Sequence, residues 1–224
     1  SSGMDVILTD HHLPGEVLPE AFCIINPNQE NCKSGLGYLC GAGVAFYLFL
    51  ALKVEFAKRG AVSAQLETKD LLDCFVIGTL TDMVPLVNEN RILSRHGLKA
   101  LVNTDRPGLQ SLMKALDLNG RPLTSNDVAI RLAPKLNALS RMDTGLRPID
   151  IFVESDKSKA ELMVEEVLSC NQMRRDLQTS AQQLAEDLAR SSGDKNFIWV
   201  FSESFHKGVL GLVATHLVQE FGVP

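Results

Sequence analysis

Long hydrophobic runs are missing from this chain of 224 residues. The longest, Gly41 to Leu52, is about half of what a bilayer needs, and Lys53 and Glu55 end it. No transmembrane helix is expected. The opening Ser1-Ser2-Gly3-Met4-Asp5 offers neither a basic nor an apolar leader, so no signal peptide is expected and the cytoplasm is the expected compartment. Cysteine is sparse. Cys23, Cys32, Cys40, Cys74 and Cys170 are odd in number and never spaced C-x-x-C. That pattern excludes a disulfide framework and a zinc ribbon, and reads as reduced packing thiols. Excess positive charge is absent too. The net charge of −5 argues against a broad basic surface for duplex DNA. It leaves room for a narrow basic groove, because what matters there is local. Arg131, Lys135, Arg141 and Arg147 make one cationic stretch, diluted by Asp127, Asp143 and Asp150.

What is present is a globular composition, 45% hydrophobic and 22% charged, which excludes disorder and collagen-like structure. A chain of this length buries a sizeable core without staples. Val6-Ile7-Leu8-Thr9 and Phe22-Cys23-Ile24-Ile25 are short apolar runs with β-branched residues. Such runs read as strands buried on both faces of a parallel α/β sheet. Helices follow. Gly43 to Arg59 is stopped by Gly60, and Thr68 is placed to cap Lys69 to about Leu80. Asn90 to Leu101 is amphipathic, Pro107 opens a helix to about Leu116, and Ser125 is placed to cap Asn126 to Ala133 before Pro134.

Asp156 to Ser191 contains no Pro or Gly and repeats apolar residues at steps of three and four. It is expected to be one helix of about 50 Å, read as a connector between two domains, with one arm of a helical bundle as the alternative on pattern alone. After Ser191-Ser192-Gly193 the pattern changes to a strand, Phe197 to Phe201, a loop to Gly208, and an apolar helix, Val209 to Phe221. On an aromatic stripe, Phe46, Tyr47, Phe49 and Phe56 are expected in the core. His96 with Arg91, Arg95 and Lys99 is expected on a solvated helix face.

Two motifs carry chemistry. Asp10-His11-His12 stands at the carboxyl end of the first strand, where open α/β sheets place ligands. An acid and two imidazoles suit a divalent transition metal. Strand alternation would send the two histidines to opposite faces, so a turn must begin here for both to serve one site. Gly78-Thr79-Leu80-Thr81-Asp82 ends an apolar helix on a carboxylate, which needs a partner if it is buried.

Asp-His-His paired with Gly-Thr-x-x-Asp resembles the DHH phosphoesterases. Within that family the chain looks most like its single-stranded-DNA-specific exonucleases. The blocks that carry the resemblance are Asp5 to Gly15, Gly41 to Leu48, Asp82 to Leu86 with Glu89-Asn90-Arg91, Arg131 to Ala138, and His206 to Ala214. They span nearly the whole chain in the family's order. The resemblance implies that His11 and Asp82 are ligands to Mn2+ or Mg2+. It implies that His12 lies beside the scissile phosphate, and that Asp10 is a ligand or supports one. Arg131, Asn137 and Arg141 are implied phosphate contacts; His206 either binds phosphate at a helix entrance or serves as a packing or N-cap residue there. Hydrolysis of single-stranded DNA by two metal ions is the implied reaction, 5′-to-3′, in DNA repair and recombination. There are departures. Asn-Ala-Ala-Gly-Arg is here Asn137-Ala138-Leu139-Ser140-Arg141, and Trp-His-Pro-Gly is here Phe205-His206-Lys207-Gly208.

The family's Asp-x-Asp-x-Gly metal motif and its Gly-Gly-His phosphate motif are not in this sequence, so a fragment of a longer protein is expected. The expected architecture is α/β. Residues 1–153 form part of a DHH-type parallel-sheet domain, 154–192 a connector helix, and 193–224 the start of a small DHHA1-type substrate-binding domain. Two alternatives stand beside the exonuclease. One is another DHH phosphoesterase acting on short RNA or small phosphate compounds. The other is a non-catalytic DHH scaffold that binds nucleic acid, against which the presence of both His11 and Asp82 argues.

Overall fold

The computed structural model describes residues 3–60, 67–192 and 196–224. Two short strands, β1 (Ile7–Thr9) and β2 (Cys23–Ile25), pair in parallel with Ile7 opposite Cys23 and Thr9 opposite Ile25. The helices are α1 (Gly41–Lys58), α2 (Leu72–Thr81), α3 (Asn88–Val102), α4 (Pro107–Ala115), α5 (Ala133–Leu139), α6 (Pro148–Val153), α7 (Lys157–Ser192) and α8 (Leu210–Phe221). The chain divides into two compact units, Ser1–Asp105 with Leu118–Ile130, and Arg106–Asp117 with Arg131–Pro224.

In the first unit the core lies between α1, α2 and α3. Phe75, Val76 and Leu101 are fully buried, and the Phe46 ring meets Phe75 edge-on with centroids 5.3 Å apart. Each such side chain contributes about 1.5–3 kcal/mol by leaving water. Helix α1 starts where the Cys40 sulfur accepts from the Gly43 amide at 3.4 Å. It stops at Gly60, whose φ of +69° is left-handed and favours glycine. Glycine also sets the helix spacing. A Cβ at Gly97 would fall 2.6 Å from the Leu72 carbonyl oxygen, so α3 lies directly on α2.

Several expectations change. The strands are not buried on both faces: Ile7 is 57% exposed, because α1 covers β1 on one side and no second layer lies against it among the described residues. Thr68 does not cap the next helix. A 3-10 turn, Thr68–Leu71, precedes α2, and Glu67 with Asp70 forms its capping box. Of the aromatic stripe, Phe46 is core, but Phe56 near the end of α1 is 47% exposed. Arg91, Arg95, His96 and Lys99 are all exposed, as expected.

The segment 126–133 is wound as a π-helix over Asp127–Leu132 and passes into α5, with Pro134 in the first turn of α5. Proline has no amide to donate, and the change of winding accommodates it. The cap is Thr124 rather than Ser125. The Asp127 carboxylate accepts from the Thr124 amide at 2.9 Å, and the Asp127 amide donates to the Thr124 hydroxyl at 3.2 Å. Arg121 closes a fork on the same carboxylate at 2.6 and 3.1 Å. That guanidinium, with the Thr124 bonds, holds the Asp127 carboxyl well below the usual carboxylate range. A carboxyl depressed in the folded state adds stability above its unfolded value of about 3.9 and loses it as pH falls below that. Replacing Asp127 by Asn should therefore destabilise the protein at pH 7 and flatten the loss of stability between about pH 4 and pH 2. Urea midpoints measured across that range check this, and an unchanged acid limb contradicts it.

In the second unit, α4, α5, α6 and α8 all pack on α7. This helix is continuous over 36 residues, about 54 Å at 1.5 Å per residue. Its buried face runs through Ala160, Val164, Val167, Cys170 and Asn171, then Ala181, Ala185 and Ala189. Met173 and Leu184, which fit the sequence periodicity, stand out of that seam, and small alanines carry it instead. Helix α6 has no counterpart in the sequence reading; it is six residues opened by Pro148, with Asp150 bonded back to the Arg147 amide at 2.8 Å. The Phe197–Phe201 strand does not form, since no neighbouring strand pairs with it among the described residues. Ile198 donates to the Pro224 carbonyl at 2.7 Å, and Trp199 is 73% exposed, stacked on Phe201. The expected junction at Gly193 lies outside the described residues.

Candidate metal centre and phosphate contacts

At the end of β1 the chain turns on Asp10. One carboxylate oxygen, Oδ1, accepts from the His11 amide at 2.7 Å, the His12 amide at 3.2 Å and the His12 ring Nδ1 at 2.8 Å. This is the turn that the alternation argument required, and it brings the two imidazoles to one side, with ring centroids 4.2 Å apart. Those bonds hold the Asp10 carboxyl down to about 2, the His12 side chain contributing most. A carboxylate that stays ionised suits a cation.

The carboxyl end of β2 clamps the same turn. Asn26, almost fully buried, donates from Nδ2 to the His12 carbonyl at 2.9 Å. Asn28 donates to the His11 carbonyl at 2.6 Å and to the Gly37 carbonyl at 3.2 Å. The Asn28 amide in turn bonds Asn26 Oδ1 at 2.9 Å. The sequence reading stopped at the run Phe22 to Ile25 and gave Asn26 and Asn28 no role. The missed signal was two asparagines at the carboxyl end of the strand paired with the motif strand.

Asp82 arrives from the other direction, as the residue that closes α2. Helix α2 can reach this position because Gly78 lies against α1: a Cβ there would fall 2.4 Å from Ala42 Cβ. The Thr79 hydroxyl meets the buried Cys40 sulfur at 3.6 Å beside it. Asp82 Oδ2 then stands 3.6 Å from His11 Nδ1. Two ligands of one octahedral ion, each about 2.1 Å from it, lie roughly 3–4 Å apart. The pair fits that requirement. One ligand atom each from Asp10, His11 and His12 also lies within 4.8 Å of the others. The donor set, imidazole with carboxylate, suits Mn2+ and accepts Mg2+. Next to it, Asn90 is fully buried and its side-chain amide donates to the Tyr38 and Pro85 carbonyls at 2.8 and 3.0 Å. Those bonds fix the loop that follows Asp82.

The other four expected contacts belong to the second unit. Asn137 is exposed on α5, and Arg131 donates from one guanidinium nitrogen to the Leu116 carbonyl. Arg141 is exposed and reaches the Gly208 carbonyl at 3.4 Å. His206 caps the turn before α8, its Nδ1 accepting from the Gly208 amide at 3.1 Å, with Asp143 4.0 Å from its Nε2. Ser140, where the family has glycine, sits at φ −80°, a conformation open to any residue.

Residues 1–79 match the DHH family, N-terminal domain. Along nearly its whole length the chain is similar to RecJ proteins. It is 35% identical over 99% of its length to the single-stranded-DNA-specific exonuclease RecJ of Dickeya dadantii, and 34% identical over all of it to that of Escherichia coli. It spans 40% and 41% of those two relatives. A structure of exonuclease RecJ bound to manganese superposes with a TM-score of 0.84 at 28% identity, over 99% of this chain and 54% of that one. RecJ of Thermus thermophilus in complex with Mn2+ superposes with a TM-score of 0.80, over 100% of this chain and 32% of that one. The α/β fold expected from the sequence is the fold these structures share.

Proposed function

We propose that this chain supplies the Asp-His-His metal site and phosphate contacts of an exonuclease that hydrolyses phosphodiester bonds in single-stranded DNA, 5′ to 3′, with Mn2+ or Mg2+. The observation that carries the reading is the approach of Asp82 to His11 in a turn already shaped by Asp10. His11 and Asp82 hold a metal ion, which when bound lowers the pKa of a water and stabilises charge on phosphate oxygens. Asp10 keeps the turn. By accepting from Nδ1 it orients the His12 ring, which in this reading lies beside the scissile phosphate. Arg131, Asn137, Arg141 and His206 contact strand phosphates, where a guanidinium fork binds two oxygens at once. In this reading 1–153 is the phosphoesterase part, 154–192 its connector and 193–224 the start of a DHHA1-type substrate-binding domain. The protein works in DNA repair and recombination in the cytoplasm. No helix among the described residues is long and apolar enough to cross a membrane.

The test is digestion of a labelled single strand by the full-length protein. Manganese-dependent release of nucleotides from single-stranded but not duplex DNA, stopped by chelator, is the expected result. Hydrolysis confined to di- and trinucleotides of RNA, or none with any divalent metal, contradicts it.

A further inference from the structure

The second unit carries a group of cations that the contacts above do not account for. Helix α5 and helix α7 are pinned together where the Cys170 sulfur meets the Ala138 carbonyl at 3.5 Å. One turn further along α7 is Arg174, on the face that Cys170 turns toward α5. One turn earlier on α5 is Lys135, with Arg131 a turn before it. Arg174 is not loose. It donates to Asn171 Oδ1 at 2.9 Å and to Gln178 Oε1 at 2.7 Å, and Asn171 is itself buried. Both partners are neutral. Lys135 is half-buried, yet neither it nor Arg175 has a hydrogen bond or ion pair among the described residues. The nearby acids are engaged elsewhere: Asp176 accepts from Gln172 at 2.8 Å, and Asp143 pairs with Lys207 at 3.2 Å.

Cations pressed together without a carboxylate cost folding energy. Burial, with Arg175, Arg131 and Arg174, pushes the Lys135 ammonium down from its usual range. Arg174 is lowered by burial and by Arg175 and Arg141. An anion that arrives from outside would relieve that repulsion.

We propose that Lys135, Arg174 and Arg175, extending the contacts of Arg131 and Arg141, form a phosphate-binding track across α5 and α7 that grips the backbone of a single DNA strand. The identity of the strand rests on the function proposed above; the need for a polyanion does not. Backbone contacts read no sequence, so the track serves any single strand equally.

The experiment measures binding of fluorescent oligodeoxythymidylate to the 224-residue chain, without added metal, across a salt series. Each phosphate neutralised on a single strand adds about 0.7 to the slope of log K against log salt. The Lys135→Met, Arg175→Gln double variant should weaken binding several-fold at low salt and reduce that slope by roughly 1.4. Its melting temperature should hold or rise, because repulsion is relieved, and Arg91→Gln with Arg95→Gln on α3 should leave the slope unchanged. Lys135→Arg alone, with Arg175 intact, should keep the original slope. A double variant with the wild-type slope overturns the track. So does the same loss from the α3 pair. The His11→Ala chain separates the two proposals: it should keep the full slope, and normal digestion by a full-length His11→Ala protein defeats the metal reading while leaving the track standing.

Discussion

Replacing His11 by Ala should abolish most manganese binding by this chain, raising the dissociation constant at least 10-fold. The half-buried imbedded geometry of the His11 ring explains the size. Its Nδ1 is the atom 3.6 Å from Asp82, and no other histidine lies in the cluster except His12, whose Nδ1 is already committed to Asp10. Asn26 and Asn28 hold the backbone of residues 11 and 12, so the turn should persist without the ring. Loss of metal with an unchanged far-ultraviolet spectrum is the expected signature. Even the unaltered chain should bind the ion weakly, because the described residues offer one cluster and not the two full ligand sets that a two-ion site requires. Titration followed by the electron paramagnetic resonance signal of free Mn2+ measures both constants. Equal affinity in the His11→Ala chain would show that the ion is held elsewhere.

Gly208→Ala should be the most damaging single methyl in the second unit. A Cβ there would fall 1.9 Å from the Arg141 carbonyl oxygen and 2.9 Å from Met142 Cε. Backbone cannot rotate away as a side-chain tip can, so either the α5 end or the turn before α8 must move. Overpacking of this kind costs about 1–3 kcal/mol. In a protein of this size that lowers the melting temperature by roughly 2–12 °C. Arg141 and His206 both bond to Gly208, so the same methyl should also disturb the phosphate contacts proposed for them. Gly211→Ala is the control. It lies three residues on, inside α8, with open space where its Cβ would go, and should stabilise by about 0.5–1 kcal/mol through helix propensity. Thermal melts of the two variants should therefore move in opposite directions. Equal shifts would mean that the close approach of Gly208 to Arg141 does not constrain the fold.

The metal motif was legible in the sequence because its chemistry is local. Asp10, His11 and His12 are consecutive, and the need for a turn followed from strand alternation alone. The approach of Asp82 was legible only through the family pairing, since nothing in a helix end says which strand it will face. Helix α7 announced itself by 36 residues without Pro or Gly. Its true inner face did not, because Ala181, Ala185 and Ala189 are weak hydrophobic signals beside Met173 and Leu184, which point outward. The Phe197–Phe201 strand failed for the opposite reason. Its pattern is right, but a strand is a property of two segments, and no partner lies beside it among the described residues. The clamp by Asn26 and Asn28 and the bracing of Arg174 by Asn171 depend on side-chain bonds between segments, which periodicity does not report.

The central claim is that His11 and Asp82 share one catalytic metal ion. The measurement that tests it most directly is manganese-dependent digestion of 5′-phosphorylated single-stranded DNA by the full-length protein carrying Asp82→Asn. This change keeps the size of the side chain and removes only its charge. Activity should fall at least 100-fold, on the order of 3 kcal/mol or more of transition-state stabilisation, while the melting temperature and the salt dependence of strand binding stay at their original values. Digestion at the original rate by the Asp82→Asn protein, with the same response to manganese and to chelator, would contradict the claim.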